Sequence, residues 1–284
     1  KKNKKLILIT GVAGMIGSEL AGKLLKIKTN RVIGIDNFIL GNKQNMTDFI
    51  SNKNFQFFKK DLSKKINKTE IKKILKNHKI AEVWHLAANS DIRSGIYNSN
   101  VDLKNTFLST YYILDFIKNN IDHKTKFIFT SSSAVFGENK IKINEKTPAL
   151  YACSNYGSMK LASEAIISSF SYLNNIKSLI FRLPNVVGKN LTHGVVYDLS
   201  NKIKNKNIKF LQVLGNGMQC KPYSYASEVI ECMSFIKIKK QSKFINYYNI
   251  GNNDKGVTVK EIVKLLVKKY FFKKKIKFQK NKFG

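Results

Sequence analysis

Short apolar runs of strand length alternate along this chain with longer stretches whose apolar residues recur at helical spacing. The pattern predicts strands at Leu6–Thr10, Arg31–Asp36, Phe55–Phe58, Glu82–Ala88, Lys126–Thr130 and Ser178–Leu183. It predicts helices over Ser18–Lys26, about Glu70–Asn77, Asn100–Lys118 and Asn155–Phe170. Strand and helix in regular alternation imply an α/β architecture, with a parallel sheet covered by helices on both faces. After Leu183-Pro184-Asn185 the alternation loosens, with loops such as Leu214-Gly-Asn-Gly217. The expected division is therefore 1–177 for the sheet domain and 178–284 for a smaller C-terminal α/β lobe, the two interleaved along the chain.

Composition narrows the picture. With 284 residues, 43% of them hydrophobic, the chain is long enough to bury a sizeable core. No apolar run approaches the length of a membrane span. The basic start, Lys1-Lys-Asn-Lys-Lys5, followed by apolar residues mimics a secretory leader. The glycines that follow have a better use, so a cytoplasmic protein is expected. Three scattered cysteines (Cys153, Cys220, Cys232) argue against a disulfide framework, and four scattered histidines (His78, His85, His123, His193) against a metal site. The formal net charge of +33 raises nucleic acid as a partner, but of 51 basic residues only Arg31, Arg93 and Arg182 are arginine. Lysines spread over nearly every segment read as compositional drift, because base and phosphate readers favour arginine's planar fork. No specific nucleic-acid partner is expected, and the lysines from Lys268 to Lys282 are a solvated face.

Candidate chemistry sits at strand ends. The first apolar run meets Thr10-Gly11-Val-Ala-Gly14-Met15-Ile16-Gly17, and a helix follows at once. Glycines there let the backbone approach a ligand, while helix N–H groups and the helix dipole favour a phosphate. About 20 residues on, Asp36 closes the second apolar run, the place of an acid that holds a ribose hydroxyl. Tyr156 and Lys160 are four apart on a predicted helix and share a face, so the ammonium should lower the phenol's pKa towards working pH and make it a proton acceptor. Ser131–Ser133, at the end of the fifth strand, would hydrogen-bond the same substrate oxygen. Trp84 reads as core, Cys153 as a pocket neighbour or a buried spectator, and Arg93 as a ligand contact or an ion-pair partner of Asp91.

Seven motifs come in family order: Thr10–Gly17, Asp36-Asn37, Asp61-Leu62, His85-Leu-Ala-Ala88, Thr130–Gly137, Tyr156-x-x-x-Lys160 and Arg182–Gly188. Together they resemble the extended short-chain dehydrogenase/reductase family of NAD-dependent nucleotide-sugar epimerases and dehydratases, with the UDP-glucose 4-epimerases most similar. The resemblance implies a Rossmann-type doubly wound sheet with a nucleotide-sugar-binding lobe. It implies that NAD is held by Gly11, Gly14, Met15, Ile16, Gly17, Asp36, Asn37, Asp61, Leu62, Ala87, Ala88 and Lys160. It makes Tyr156 the catalytic base, with Lys160 and Ser132 beside it, and assigns Asn185 and Lys221 to the nucleotide sugar, a lysine standing where the family has an arginine. Dehydratases and decarboxylases of the family carry an acid just after the catalytic hydroxyl residue; here Ser133 and Ala134 follow Ser132. Epimerisation at C4 is therefore expected, with a 4-keto reductase, a 4,6-dehydratase and a non-catalytic binding protein as alternatives. Family members pair through two long helices, so a homodimer is expected.

Overall fold

The computed structural model describes residues 4–75, 78–138, 143–149, 151–252 and 255–279. In chain order it contains β1 (Lys5–Thr10), α1 (Met15–Leu25), β2 (Asn30–Asp36), β3 (Phe55–Lys59), α2 (Lys68–Leu75), β4 (Glu82–His85), α3 (Ile92–Tyr97), α4 (Ser99–Asp102), α5 (Ser109–Ile117), β5 (Lys126–Ser132), α6 (Asn155–Leu173) and β6 (Lys177–Leu183). There follow β7 (Asn185–Val187), α7 (Val195–Lys204), β8 (Phe210–Leu214), β9 (Cys220–Lys221), β10 (Tyr223–Tyr225), α8 (Ala226–Ile238), β11 (Ile245–Asn249), β12 (Val257–Thr258), α9 (Val259–Lys269) and β13 (Lys275–Gln279).

Seven of the described strands form one parallel sheet in the order β11-β6-β5-β4-β1-β2-β3. β1, β4 and β5 are buried on both faces, which explains their unbroken apolar runs. One face carries a core of Leu8, Ile33, Val83, Phe127, Phe129 and Ile180 with side chains from α2, α5 and α6. Trp84 is fully buried in β4, its indole N–H donating to Glu82 Oε2 at 2.9 Å.

Two compact units divide the chain, one made of 1–183 with 226–250, the other of 184–225 with 251–284. The boundary expected after 177 thus moves, and the first unit is not contiguous. β6 pairs along its whole length with β5, and β11 returns to pair with β6 from Ile245↔Ser178 to Asn249↔Arg182. The second unit has its own core, in which Leu199, Ile203, Leu211, Val213, Ile262, Val263 and Leu266 pack together. A capping box at Thr258 and Glu261 starts α9.

Elements shift in three further places. β4 ends at His85 rather than Ala88, because the Leu86 and Ala87 N–H groups turn aside to the Thr10 hydroxyl. The long helix expected over Asn100–Lys118 is interrupted by wider, π-type turns at Leu103–Leu108. The predicted helix near Glu70 begins at Lys68, and its expected end at Asn77 lies outside the described residues, as do residues 280–282 of the lysine-rich tail.

Candidate functional site

β1 delivers Thr10 to a turn that only glycine can make. Gly11 has φ of +69°, and a Cβ there would lie 2.8 Å from the Ala87 nitrogen. A Cβ on Gly17 would overlap the Gly11 carbonyl oxygen, so α1 starts hard against the strand. Gly14, with extended backbone, opens α1 without a side-chain cap or an acidic residue in the first turn. The amide groups at the start of this helix are thus free of any competing side-chain anion, as phosphate capture requires. Met15 and Ile16 form its first turn, half-buried.

Asp36 ends β2 beside this turn. Its Oδ2 accepts from the Ala13 N–H at 3.0 Å and its Oδ1 from the Phe38 N–H at 2.8 Å. Burial pushes its pKa up, against the pull of those backbone donors. The carboxylate thereby ties the glycine turn to the end of β2, and each oxygen keeps a second lone pair for a ligand hydroxyl. Asn37 folds back on its own loop, its Oδ1 accepting from the Ile39 N–H. Asp61 follows β3, accepting from the Ser63 N–H, and the adjacent Leu62 is buried in the core that Ala87 borders.

Between turn and sheet lies a relay that sequence reading passed over. The Thr10 hydroxyl accepts two backbone N–H groups and lies 2.7 Å from His85 Nδ1, so its own proton points at that nitrogen. His85 Nε2 is 3.0 Å from the Thr110 hydroxyl, which gives its proton to the Thr106 carbonyl. The pattern fixes His85 as the Nε2–H tautomer. Burial, seconded by the Lys160 charge, pushes its pKa down to about 3. This buried neutral histidine is a structural tie from β1 through β4 to α5.

The chemical groups converge where β5 ends and α6 begins. Ser154 caps α6, accepting from the Gly157 N–H at 3.0 Å. Gly157 is required there, since a Cβ would lie 2.6 Å from the Ala134 carbonyl oxygen. Tyr156 in the first turn has its phenol hydrogen-bonded by the Ser132 side chain. Lys160, one turn on, is 2% exposed; its ammonium donates to the Thr130 carbonyl at 2.6 Å and stands 4.6 Å from the Phe129 ring centre. Burial pushes the Lys160 pKa down to about 7, opposed by the Glu164 carboxylate. Burial likewise pushes Tyr156 up to about 12, against the Ser132 hydrogen bond and with help from Asp102. The lowering of the phenol expected from the spacing of Tyr156 and Lys160 is not found: desolvation raises it, and the one group that lowers it is Ser132.

Glu164 completes this helix face. It is 1% exposed and takes Arg182 Nε at 3.0 Å, Arg182 Nη2 at 2.7 Å and the Ser131 hydroxyl at 2.5 Å. Arg182 lies between the Phe136 and Tyr247 rings.

The structure therefore brings Ser132, Tyr156 and Lys160 together, and joins Gly11 and Gly17 to Ala87 and Asp36. Ala88 is half-buried in the same segment after β4. Asn185 and Lys221 belong to the other compact unit, on β7 and β9, both exposed. Cys153 is exposed rather than buried, its thiol donating to the Tyr151 carbonyl. Arg93 Nε lies 3.9 Å from Asp91 Oδ1, the ion pair that was one of its two readings. Among the described residues no cluster of His, Cys, Asp and Glu could hold a metal ion, and no helix is long and apolar enough to cross a membrane.

Comparison with known proteins bears on the chain as a whole. The family model described as GDP-mannose 4,6 dehydratase matches residues 8–282. An uncharacterized UDP-glucose epimerase of Bacillus subtilis is 27% identical over 263 residues, covering 90% of this chain and 79% of that protein. A dTDP-D-glucose 4,6-dehydratase of Dictyostelium discoideum is 28% identical over 262 residues, covering 87% of this chain but only 58% of that protein. Among solved structures, a UDP-glucuronic acid 4-epimerase from Bacillus cereus, in complex with UDP-glucuronic acid and NAD, matches with a TM-score of 0.83. It is 27% identical, with 97% of this chain and 86% of that one covered.

Proposed function

Because the chain belongs to the family of the GDP-mannose 4,6-dehydratase model, whose members modify nucleotide sugars, we propose that it is an NAD-dependent epimerase inverting C4 of a nucleotide sugar. The observation that carries the reaction type is the Ser132–Tyr156–Lys160 set, followed on the chain by Ser133 and Ala134. Eliminating water across C5–C6 needs an acid next to the reacting hydroxyl, and neither of those residues supplies one. UDP-glucose and UDP-galactose are the substrates proposed.

The cradle of Gly11, Gly14 and Gly17 and the carboxylate of Asp36 fit a dinucleotide. Asp36 favours NAD over NADP, because a 2′-phosphate would meet a carboxylate. Met15, Ile16, Asn37, Asp61, Leu62, Ala87 and Ala88 are assigned to the same ligand. When bound, NAD supplies the hydride acceptor and donor for C4. As a phenolate, held in that form by the charges of Lys160 and of the bound dinucleotide, Tyr156 would take the proton from the sugar 4-hydroxyl and return it to the same oxygen once C4 is inverted. Ser132 would donate to the phenolate that accepts this proton, stabilising it beforehand. Lys160, whose ammonium donates to the Thr130 carbonyl, would also serve a ribose hydroxyl of the bound dinucleotide and offset the phenolate's charge. Asn185 and Lys221 are assigned to the nucleotide diphosphate, where Lys221 acts as a point charge rather than a fork.

The test is incubation of the protein, with bound NAD confirmed, against a panel of nucleotide sugars. C4 epimers that disappear in Tyr156→Phe support the reading; an unchanged panel refutes it. Net oxidation of NADH with a keto sugar would instead favour the reductase. We further assign a homodimer built on α5 and α6, supported by the groove there, in which Tyr111, Ile166, Phe170 and Leu173 stand beside Asp115, Lys118 and Ser169. Sedimentation as a monomer would remove that part. A cytoplasmic setting agrees with three cysteines that are all free thiols, and cell fractionation tests it.

A further inference from the structure

Asp102 is placed as a surface acid would not be. It ends α4, a four-residue helix, yet its side chain is fully buried and its Oδ2 has no hydrogen-bond partner. A buried carboxylate with one orphaned oxygen is unfavourable unless the surroundings impose it. Two neighbours impose it. Asn89, after β4, donates from Nδ2 to Asp102 Oδ1 at 2.7 Å and also to the Asp91 carbonyl and the Ser94 hydroxyl. The Asn89 N–H donates to the Thr106 hydroxyl, joining the cluster to the His85 relay. On the other side Asp102 Oδ2 packs on Gly95 of α3 so closely that a Cβ at Gly95 would overlap it, and all the nearest atoms to that Cβ belong to Asp102. The Gly95 carbonyl in turn accepts from Asn155 Nδ2 at 3.0 Å, and Asn155 is the residue before Tyr156. The Asp102 charge also reaches the Tyr156 phenol.

We propose that Asp102 is a positioning residue for Tyr156: clamped by Asn89 and wedged against Gly95, it sets α3 so that the Gly95 carbonyl holds Asn155 and the first turn of α6. The inference rests on Tyr156 being the proton acceptor, and its effect on turnover follows from how steeply proton transfer depends on placement. Gly95 is part of the device, since only a residue without a side chain lets the carboxyl lie against α3.

Four variants of the full chain test it: Asp102→Ala, Asp102→Asn, Gly95→Ala and the Gly95→Ala/Asp102→Ala pair. Two readouts are used, steady-state kinetics on an epimerised nucleotide sugar and hydrogen exchange of the backbone amides in the first turn of α6. Asp102→Ala and Gly95→Ala should each lower kcat about tenfold or more with KM held within about twofold, and speed that exchange by a similar factor. Asp102→Asn keeps the shape and the Asn89 hydrogen bond, so both readouts should stay within about threefold of the parent. In the pair the added methyl takes the space the carboxyl left, so both readouts should recover relative to Gly95→Ala. The proposal is overturned if Asp102→Ala matches the parent in both readouts, if KM rises while kcat holds, or if the pair is as impaired as Gly95→Ala. If the parent protein epimerises nothing, the catalytic reading has failed separately, and the exchange measurement decides whether Asp102 positions α6.

Discussion

Replacing Glu164 by glutamine should be among the most damaging isosteric changes in the sheet unit. Glu164 receives three donors and both partners are buried, with side chains 2% exposed for Glu164 and 7% for Arg182. Glutamine keeps one oxygen for Ser131 and Arg182 Nε but turns an amide NH2 towards Arg182 Nη2, setting donor against donor. Arg182 cannot shed its proton, so the change leaves an uncompensated cation between β6 and α6. Breaking a buried pair from one side costs about 3–5 kcal/mol. The Phe136 and Tyr247 rings, 4.8 and 4.7 Å from the guanidinium carbon, offset about 1–2 kcal/mol at most and are already present in the parent. Against a typical stability of about 5–15 kcal/mol this is a large fraction, equivalent to a fall in Tm of roughly 10 °C. Urea unfolding followed by circular dichroism measures it. The double replacement Glu164→Gln/Arg182→Met should recover most of the loss, because two neutral side chains leave no buried charge. A cost below about 1 kcal/mol for Glu164→Gln, or a double variant no better than the single, would refute the reasoning.

Other outcomes follow from the same geometry. Gly17→Ala places a methyl on the Gly11 carbonyl and should abolish NAD retention, read by absorbance of the extracted cofactor; retention within threefold of the parent would contradict the tight turn. Asp36→Ala strips the Ala13 and Phe38 N–H groups of their acceptor and should cost about 1–3 kcal/mol of stability besides cofactor affinity, measured by denaturant unfolding with and without NAD. Lys160 titrates near 7 when folded and near 10.5 when unfolded, so over that interval the unfolded chain holds the extra proton and stability rises with pH. Lys160→Met should flatten that rise between pH 7 and 9.5, below the range where Tyr156 titrates; an unchanged slope would show that another group produces it.

What could be read from sequence was local. Gly11, Gly14 and Gly17 lie within one turn, Asp36 ends the neighbouring strand, and Tyr156 and Lys160 are one helical turn apart, so spacing alone brings each set together. Features that depend on folding stayed hidden. β11 reads Ile-Asn-Tyr-Tyr-Asn, without the unbroken apolar run of the inner strands, because it lies at the sheet edge and its residues are only partly buried. The interleaving of the two parts is expected from the sequence, but the pattern does not mark 226–250 as the returning segment, and the first unit runs on to 183 rather than 177. Asn89, Gly95 and Asp102 are ordinary residue types in a polar stretch, and only packing makes them a cluster. The direction of the Tyr156 shift was missed for a related reason: pair spacing is visible in sequence, desolvation is not.

The split make-up of the sheet unit has a consequence for synthesis. While the chain emerges from the ribosome, β6 is present long before β11, and its outer edge displays open amide and carbonyl groups beside buried Leu179, Ile180 and Phe181. Such an edge is a template for pairing with another nascent copy. The partner strand arrives only after the whole of 184–244 has been made, so each polypeptide passes through an interval of vulnerability that ends when Ile245–Asn249 docks. Slow translation of that intervening stretch would lengthen the interval, and a chain cut short before 245 would never leave it.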